Sequence, residues 1–253
     1  MQTDFYCYVD TMRVDVTSYE DAATRILEWC NSSLGKYVCV SNVHMCMESH
    51  DGVDYREIVN KADLVIPDGK PLVWAQKFLG HKEACHVRGT DLLLALCDQA
   101  QDKKISIGLY GNTPETLNDF QTFLKKKYPG LHIACAISPP FRELTPQEDE
   151  EYTKQINKSG ARILFVSLGC PKQERWMADH KDRLSCVMLG VGAAFDFLSG
   201  KKKHAPRWMQ KVGLEWIFRL ACEPRRLWKR YFKHNPRFIW YFGKQLIKER
   251  TKS

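Results

Sequence analysis

Asp68 stands in the triplet Pro67-Asp68-Gly69 at the end of the apolar run Leu64 to Ile66, and no strand in the chain is followed by Asp-x-Asp. A lone, partly desolvated carboxylate at a strand end suits a general base that takes a proton from a hydroxyl. The same triplet also suits an ordinary turn in which Asp bonds its own backbone. The residues alone leave both readings open. Without a carboxylate pair there is no obvious seat for Mg²⁺ or Mn²⁺ beside a diphosphate. A site handling such a group then needs Arg, Lys or helix N-termini. The C-terminal region offers Arg207, Arg219, Arg225, Arg226 and Lys229.

Further polar and Gly residues collect where apolar runs end: Ser41-Asn42-x-His44, Gly111-Asn112-Thr113, Gly169-Cys170-Pro171-Lys172-Gln173-Glu174 and Gly190-Val-Gly-Ala-Ala-Phe-Asp196. Gly lets an anion approach the backbone, and a helix start supplies free N–H groups. Lys172 and Gln173 at such a start suit phosphate or sugar hydroxyls, although a plain helix entry looks the same. Neither Gly run is a Walker A loop or a G-x-G-x-x-G fingerprint, so a nicotinamide-dependent oxidoreductase is disfavoured. His44, Cys46 and His50 lack a second Cys/His cluster at zinc spacing, and no metal or cofactor is expected from them.

The elements that must position these residues follow from hydrophobic patterning. Short apolar runs alternate with helical patterns, the signature of a parallel sheet with crossover helices. Predicted strands cover Phe5 to Val9, Arg13 to Val16, Tyr37 to Ser41, Asp63 to Ile66, Lys104 to Tyr110, Leu131 to Ile137, Arg162 to Leu168 and Cys186 to Val191. Thr17-x-x-Glu20 reads as a capping box for a helix to about Cys30, Thr90 as the cap of a helix to about Gln101, and Pro114 and Pro146 as first helical residues. Pro71 to Leu79 is a further predicted helix. In an open parallel sheet, ligands bind beyond the carboxyl ends of the strands, where the polar clusters fall.

Charge is divided along the chain. Residues 201–253 hold 16 of the 38 Lys+Arg and 3 of the 30 Asp+Glu, a net of +13 that leaves the first 200 residues at −5. Four of the seven Trp lie there too, at 208, 216, 228 and 240. Apolar positions recur at helical spacing through Met209, Val212, Trp216 and Leu220, and again after Glu223-Pro224. Asn235-Pro236 reads as the start of a last helix through Phe238 and Phe242. Cations beside indoles suit an anionic membrane interface, and residues 236–253 are expected to act as its anchor. Nucleic acid also accepts such a tail, but a body at −5 offers no continuous phosphate track. No secretory leader is expected: Met1 to Asp10 has no apolar core, and no run approaches the roughly 20 residues of a membrane span. Ten scattered Cys fit reduced thiols in the cytoplasm better than a disulfide framework. The predicted organisation is a Rossmann-like α/β body over 1–195 and a basic, amphipathic helical appendage over 196–253. A homo-oligomer is compatible with the sequence.

Taken together, Ser41-Asn-Val-His44, Pro67-Asp-Gly69, Gly89-Thr-Asp91, Gly169 to Glu174, Gly190 to Asp196, Gly200 to Trp208, Gly213-Leu-Glu-Trp216, Arg219 and Glu223-Pro-Arg-Arg226 resemble the WecG/TagA/CpsF family of bacterial glycosyltransferases over nearly the whole chain. The resemblance implies metal-independent, inverting transfer from a UDP-sugar, N-acetylmannosamine or its uronic acid in the best-known branches. The implied acceptor is a polyprenyl-diphosphate-linked saccharide at the inner face of the bacterial plasma membrane. It puts the base on Asp68, with Ser41 and Asn42 beside it, and nucleotide contacts on Gln173 and Asp196. The appendage cations fall on Arg219, Arg226 and Lys229. The expected catalytic set is thus Asp68, Asn42, Arg219 and Arg226. His44, Arg88, Asp91, Gly111, Gly169, Lys172, Glu174, Arg207 and Arg225 join Ser41, Gln173, Asp196 and Lys229 as expected substrate contacts. Where the family pattern would have Arg, this chain has His86, with Arg88 close by.

Overall fold

The computed structural model describes residues 5–251. A hairpin of β1 (Tyr6–Val9) and β2 (Met12–Asp15) precedes a six-stranded sheet of β3 (Lys36–Ser41), β4 (Leu64–Pro67), β5 (Ile107–Gly111), β6 (Ile133–Ile137), β7 (Ile163–Ser167) and β8 (Val187–Gly190). Every pairing within the sheet is parallel, in the order β4-β3-β8-β7-β5-β6. The helices are α1 (Tyr19–Trp29), α2 (Val43–Asp51), α3 (Val53–Asn60), α4 (Lys70–Phe78), α5 (Gly89–Asp102), α6 (Pro114–Lys127), α7 (Pro146–Ser159), α8 (Lys172–His180), α9 (Ala194–Leu198), α10 (Arg207–Lys211), α11 (Glu215–Cys222) and α12 (Pro224–Arg250). The predicted Rossmann-like class is the observed one.

Strand alternation sorts the core into two layers. Val38, Val40, Ile163 and Phe165 meet α1, α5, α6 and Phe195 of α9 on one face. Tyr37, Cys39, Leu164 and Val166 meet the hairpin, α2, α3, α8 and, unexpectedly, Phe238 and Phe242 of α12 on the other. β3, β4, β5, β7 and β8 are buried on both faces, which is why each reads as an unbroken apolar run, whereas the edge strand β6 is half-buried throughout.

Several boundaries differ from the sequence reading. Ser18, not Thr17, caps α1, its hydroxyl accepting from the Asp21 N–H at 3.1 Å, while the Thr17 hydroxyl donates to the Asp21 carboxylate at 2.6 Å. Thr90 is not a cap either, because α5 begins at Gly89, whose N–H already has a carboxylate partner. Helices α2 and α3 were not foreseen; α2 is enclosed through three successive residues, Met45, Cys46 and Met47, and so lacks a one-sided stripe.

The largest correction concerns Asn235-Pro236, which starts no helix. α12 runs through it for 27 residues. Pro236 faces solvent, where the carbonyl that loses its intrahelical donor can bond water. The buried stripe of Leu227, His234, Phe238 and Phe242 continues past it. Further ties hold α12 to the body: Gln245 accepts from the Asp10 N–H at 2.7 Å and donates to the Tyr8 carbonyl at 2.8 Å, and Arg237 pairs with Asp51 at 2.9 Å. Residues 236–253 are therefore not a detachable anchor, since removing them uncovers two buried Phe worth about 1.5–3 kcal/mol each. Lys252 lies outside the described residues.

Candidate active site

Asp68 is held by the ends of two strands, β3 and β4, and the start of α5. The Asp68 and Gly69 N–H groups both donate to the Ser41 carbonyl, at 2.9 and 3.1 Å, and the Ser41 hydroxyl donates to the Ile66 carbonyl at 2.7 Å. Oδ1 of Asp68 accepts from the Gly89 N–H at the start of α5, at 2.7 Å. A Cβ on Gly89 would lie 2.7 Å from Val40 Cγ1, so any larger residue there has to displace the Val40 side chain. The carboxylate therefore serves the start of α5 and not its own turn. Burial raises its pKa, against the Gly89 hydrogen bond and the charges of Arg88 and Arg219. His86 donates through Nε2 to the Asp68 carbonyl and so braces the same turn.

Arg88 links body and appendage, bonding Asp91 at 3.1 Å, Gln210 of α10 at 2.7 Å and Glu215 of α11 at 3.5 Å. Asn42 caps α2, its Oδ1 accepting from the His44 and Met45 N–H groups at 3.0 and 3.3 Å. Ser41 is fully enclosed, so the expectation that it touches substrate gives way to a bracing role for the Asp68 turn.

A second cluster lies at the ends of β5, β7 and β8. The connection from β5 leads outward to β6, whereas that from β7 leads back to β8, so β5 and β7 flank a topological switch point. Gly111 and Asn112 occupy its rim, with the Asn112 N–H donating to the Ser167 carbonyl at 3.1 Å and the Ser167 hydroxyl to the Gly192 carbonyl at 2.6 Å. Gly111 has φ +114° and presses on Ser167, where a Cβ would lie 2.5 Å from the carbonyl oxygen. Gln173 joins two of the loops, its Oε1 accepting from the Gly169 and Gly192 N–H groups at 3.2 and 3.1 Å. Its amide donates to Glu174, which also takes the Tyr55 hydroxyl at 3.0 Å. Glu174 is wholly buried, with burial raising its pKa. The expected direct contact from Glu174 is thereby corrected: it orients Gln173. Lys172 remains exposed at the start of α8.

The appendage cations divide. Arg226 is bonded to Glu223 at 2.6 and 2.8 Å, and Lys202 bridges Glu223 to Asp196 at 3.5 Å each. Arg219 lies 5.3 Å from the Phe197 ring. The sequence reading missed Arg230, one turn beyond Arg226 on α12. Burial, with the charges of Arg219 and Arg226, lowers its pKa. The Nε atoms of Arg219 and Arg230 are both buried without a hydrogen-bond partner. Arg207, Arg225 and Lys229 are exposed. His44, Cys46 and His50 do not gather. Cys46 bonds the Val9 carbonyl and His50 bonds Asp10, while His44 turns to Glu48 and His234. Burial lowers the pKa of His44 to about 3 and of His234 to about 4.

In such a sheet ligands bind beyond the carboxyl ends of the strands, where the braced Asp68 and the glycine-lined switch point lie, with the cations of α11 and α12 supplied by the appendage. Residues 7–252 match the model of the Glycosyl transferase WecG/TagA/CpsF family, and the chain belongs to it. The protein is a glycosyltransferase. It is 26% identical over 231 residues, 91% of this chain and 87% of the relative, to the N-acetylglucosaminyldiphosphoundecaprenol N-acetyl-beta-D-mannosaminyltransferase of Bacillus subtilis (strain 168). The protein of that name from Staphylococcus aureus (strain NCTC 8325 / PS 47) is 27% identical over 245 residues, 93% of this chain and 94% of the relative.

Proposed function

We propose that this glycosyltransferase moves N-acetylmannosamine, or a related sugar such as its uronic acid, from a UDP donor to a polyprenyl-diphosphate-linked saccharide during synthesis of a bacterial cell-surface polysaccharide. The observation that carries the reading is the Asp68 carboxylate, fixed at its strand end by the Gly89 N–H at 2.7 Å, beside Arg88, which ties that turn to α10 and α11 of the cationic appendage. Asp68 takes the proton of the acceptor hydroxyl as that oxygen attacks the anomeric carbon from the face opposite UDP, a single displacement that inverts the centre. Arg219, Arg226 and Arg230 neutralise charge growing on the leaving diphosphate. Gly111, Gly169, Gly192 and Lys172 suit the nucleotide at the switch point, with Asp196 at its border. The names of the relatives, which specify an N-acetylglucosaminyldiphosphoundecaprenol acceptor, support the acceptor class. Incubation with a panel of UDP-sugars and a short-chain lipid-diphosphate N-acetylglucosamine tests this: turnover with one N-acetylmannosamine-type donor is expected, and turnover with none overturns it.

The cations do here what a bound dication does in other glycosyltransferases. Mg²⁺ or Mn²⁺ added to chelator-treated protein is therefore expected to leave the rate within about twofold, whereas a rate restored only by Mn²⁺ excludes a guanidinium-based site.

No helix among the described residues is long and apolar enough to cross a membrane. Opposite its buried stripe, α12 exposes Phe232 (72%), Ile239 (71%), Trp240 (62%) and Ile247 (68%), bordered by Lys229 and Lys244. That combination suits peripheral attachment to the anionic inner leaflet, each cation adding about 1 kcal/mol. Glu at positions 239, 240 and 247 together is expected to weaken sedimentation with anionic liposomes and to spare turnover on a soluble acceptor. Unchanged liposome binding removes this face from the membrane contact.

A further inference from the structure

His44 and Glu48 lie one turn apart on α2, and His234 reaches them from α12. His44 Nε2 stands 3.5 Å and His234 Nε2 3.8 Å from the same oxygen, Oε1 of Glu48. Both separations are too long for good hydrogen bonds. One donor atom from each residue lies within 4.8 Å of the other two. Three ligating groups thus converge without bonding one another. Ligands held tetrahedrally at about 2.0–2.1 Å from an ion stand roughly 3.3 Å apart, so small side-chain rotations close the set.

We propose that His44, Glu48 and His234 bind one borderline divalent transition-metal ion, of which Zn²⁺ is the type, and that the ion fastens α12 to α2. Two imidazoles and one carboxylate favour Zn²⁺, Co²⁺ or Ni²⁺ over Ca²⁺ or Mg²⁺, which require oxygen. The Nδ1 atoms of both histidines are buried without hydrogen-bond partners, and Glu48 is the carboxylate that both Nε2 atoms face. Among the neighbouring charges, Arg230, Lys233 and Arg237 oppose the ion, the last two partly offset by their pairing with Asp51. The affinity expected is micromolar, below that of closed thiolate sites. The ion has no part in glycosyl transfer. Its place is mechanical, holding the helix that also carries Arg226 and Arg230.

The test uses the full chain, chelator-stripped and titrated with Co²⁺ and then Zn²⁺. Expected are one equivalent of Co²⁺ with visible d–d bands, no thiolate charge-transfer band, displacement by Zn²⁺, and a thermal midpoint about 5 °C higher with saturating Zn²⁺. Glu48→Gln and His234→Gln abolish the equivalent, whereas Cys85→Ser with Cys222→Ser retains it. Circular dichroism of the metal-free variants checks their fold. X-ray absorption of the wild-type Zn²⁺ form, expected to show nitrogen and oxygen at about 2.0–2.1 Å and no sulfur, tests the site without any variant. Absence of a stoichiometric equivalent, binding undiminished in folded His234→Gln, or sulfur in the zinc shell overturns the proposal.

Discussion

Replacing Asp68 with Asn is expected to keep the fold and most donor binding while lowering turnover roughly 10²- to 10⁴-fold, the usual contribution of a general base. Asn is close to isosteric and its carbonyl can still accept from the Gly89 N–H, so the turn persists. What is lost is the ability to hold a proton. The pH profile carries a second sign of this role. Burial raises the Asp68 pKa from 3.8, and the base works only when ionised. The acidic limb of kcat/KM is therefore expected above the ordinary Asp range, with activity falling as pH drops through it, and Asp68→Asn should abolish that limb. Near-wild-type turnover by a folded Asp68→Asn protein removes Asp68 from the mechanism.

Truncating the half-buried Arg219 and Arg230 should be nearly as damaging. Arg219→Ala and Arg230→Ala are each expected to cost roughly 10²- to 10³-fold in turnover on a soluble acceptor, as loss of one preorganised charge donor typically does. Arg226→Ala should cost less, because its guanidinium is already held by Glu223 at 2.6 and 2.8 Å. Lys at 219 or 230 restores charge without the planar fork and is expected to recover only part of the rate. A soluble acceptor is essential, since it separates diphosphate handling from membrane contact. Full activity of both Ala variants would assign the appendage to attachment alone.

The parts legible in the sequence were those where local pattern and tertiary need coincide. Each doubly buried strand announced itself as an apolar run, and Pro67-Asp68-Gly69 marked where one ended. What was hidden depended on contacts between distant segments. Arg230 looked like one cation among many, because its burial comes from α11 and the body folding around it. Pro236 carried a helix-start signal, but the packing of Leu227, His234, Phe238 and Phe242 along one stripe outweighed one missing N–H at the surface. Ser41 and Glu174 sit within motifs expected to touch substrate, and only the structure shows them facing inward. His44, Glu48 and His234 have no joint signature, since two lie on a helix without a clear amphipathic stripe and the third comes from the far end of the chain.

The most direct test of the mechanism is the anomeric configuration of the product. Wild-type protein is incubated with the active α-linked UDP-sugar and a short-chain lipid-diphosphate N-acetylglucosamine, and the new linkage is read by NMR. One displacement driven by Asp68 yields a β-linked sugar on the acceptor hydroxyl. An α-linked product, or release of free sugar and UDP without transfer, would contradict it.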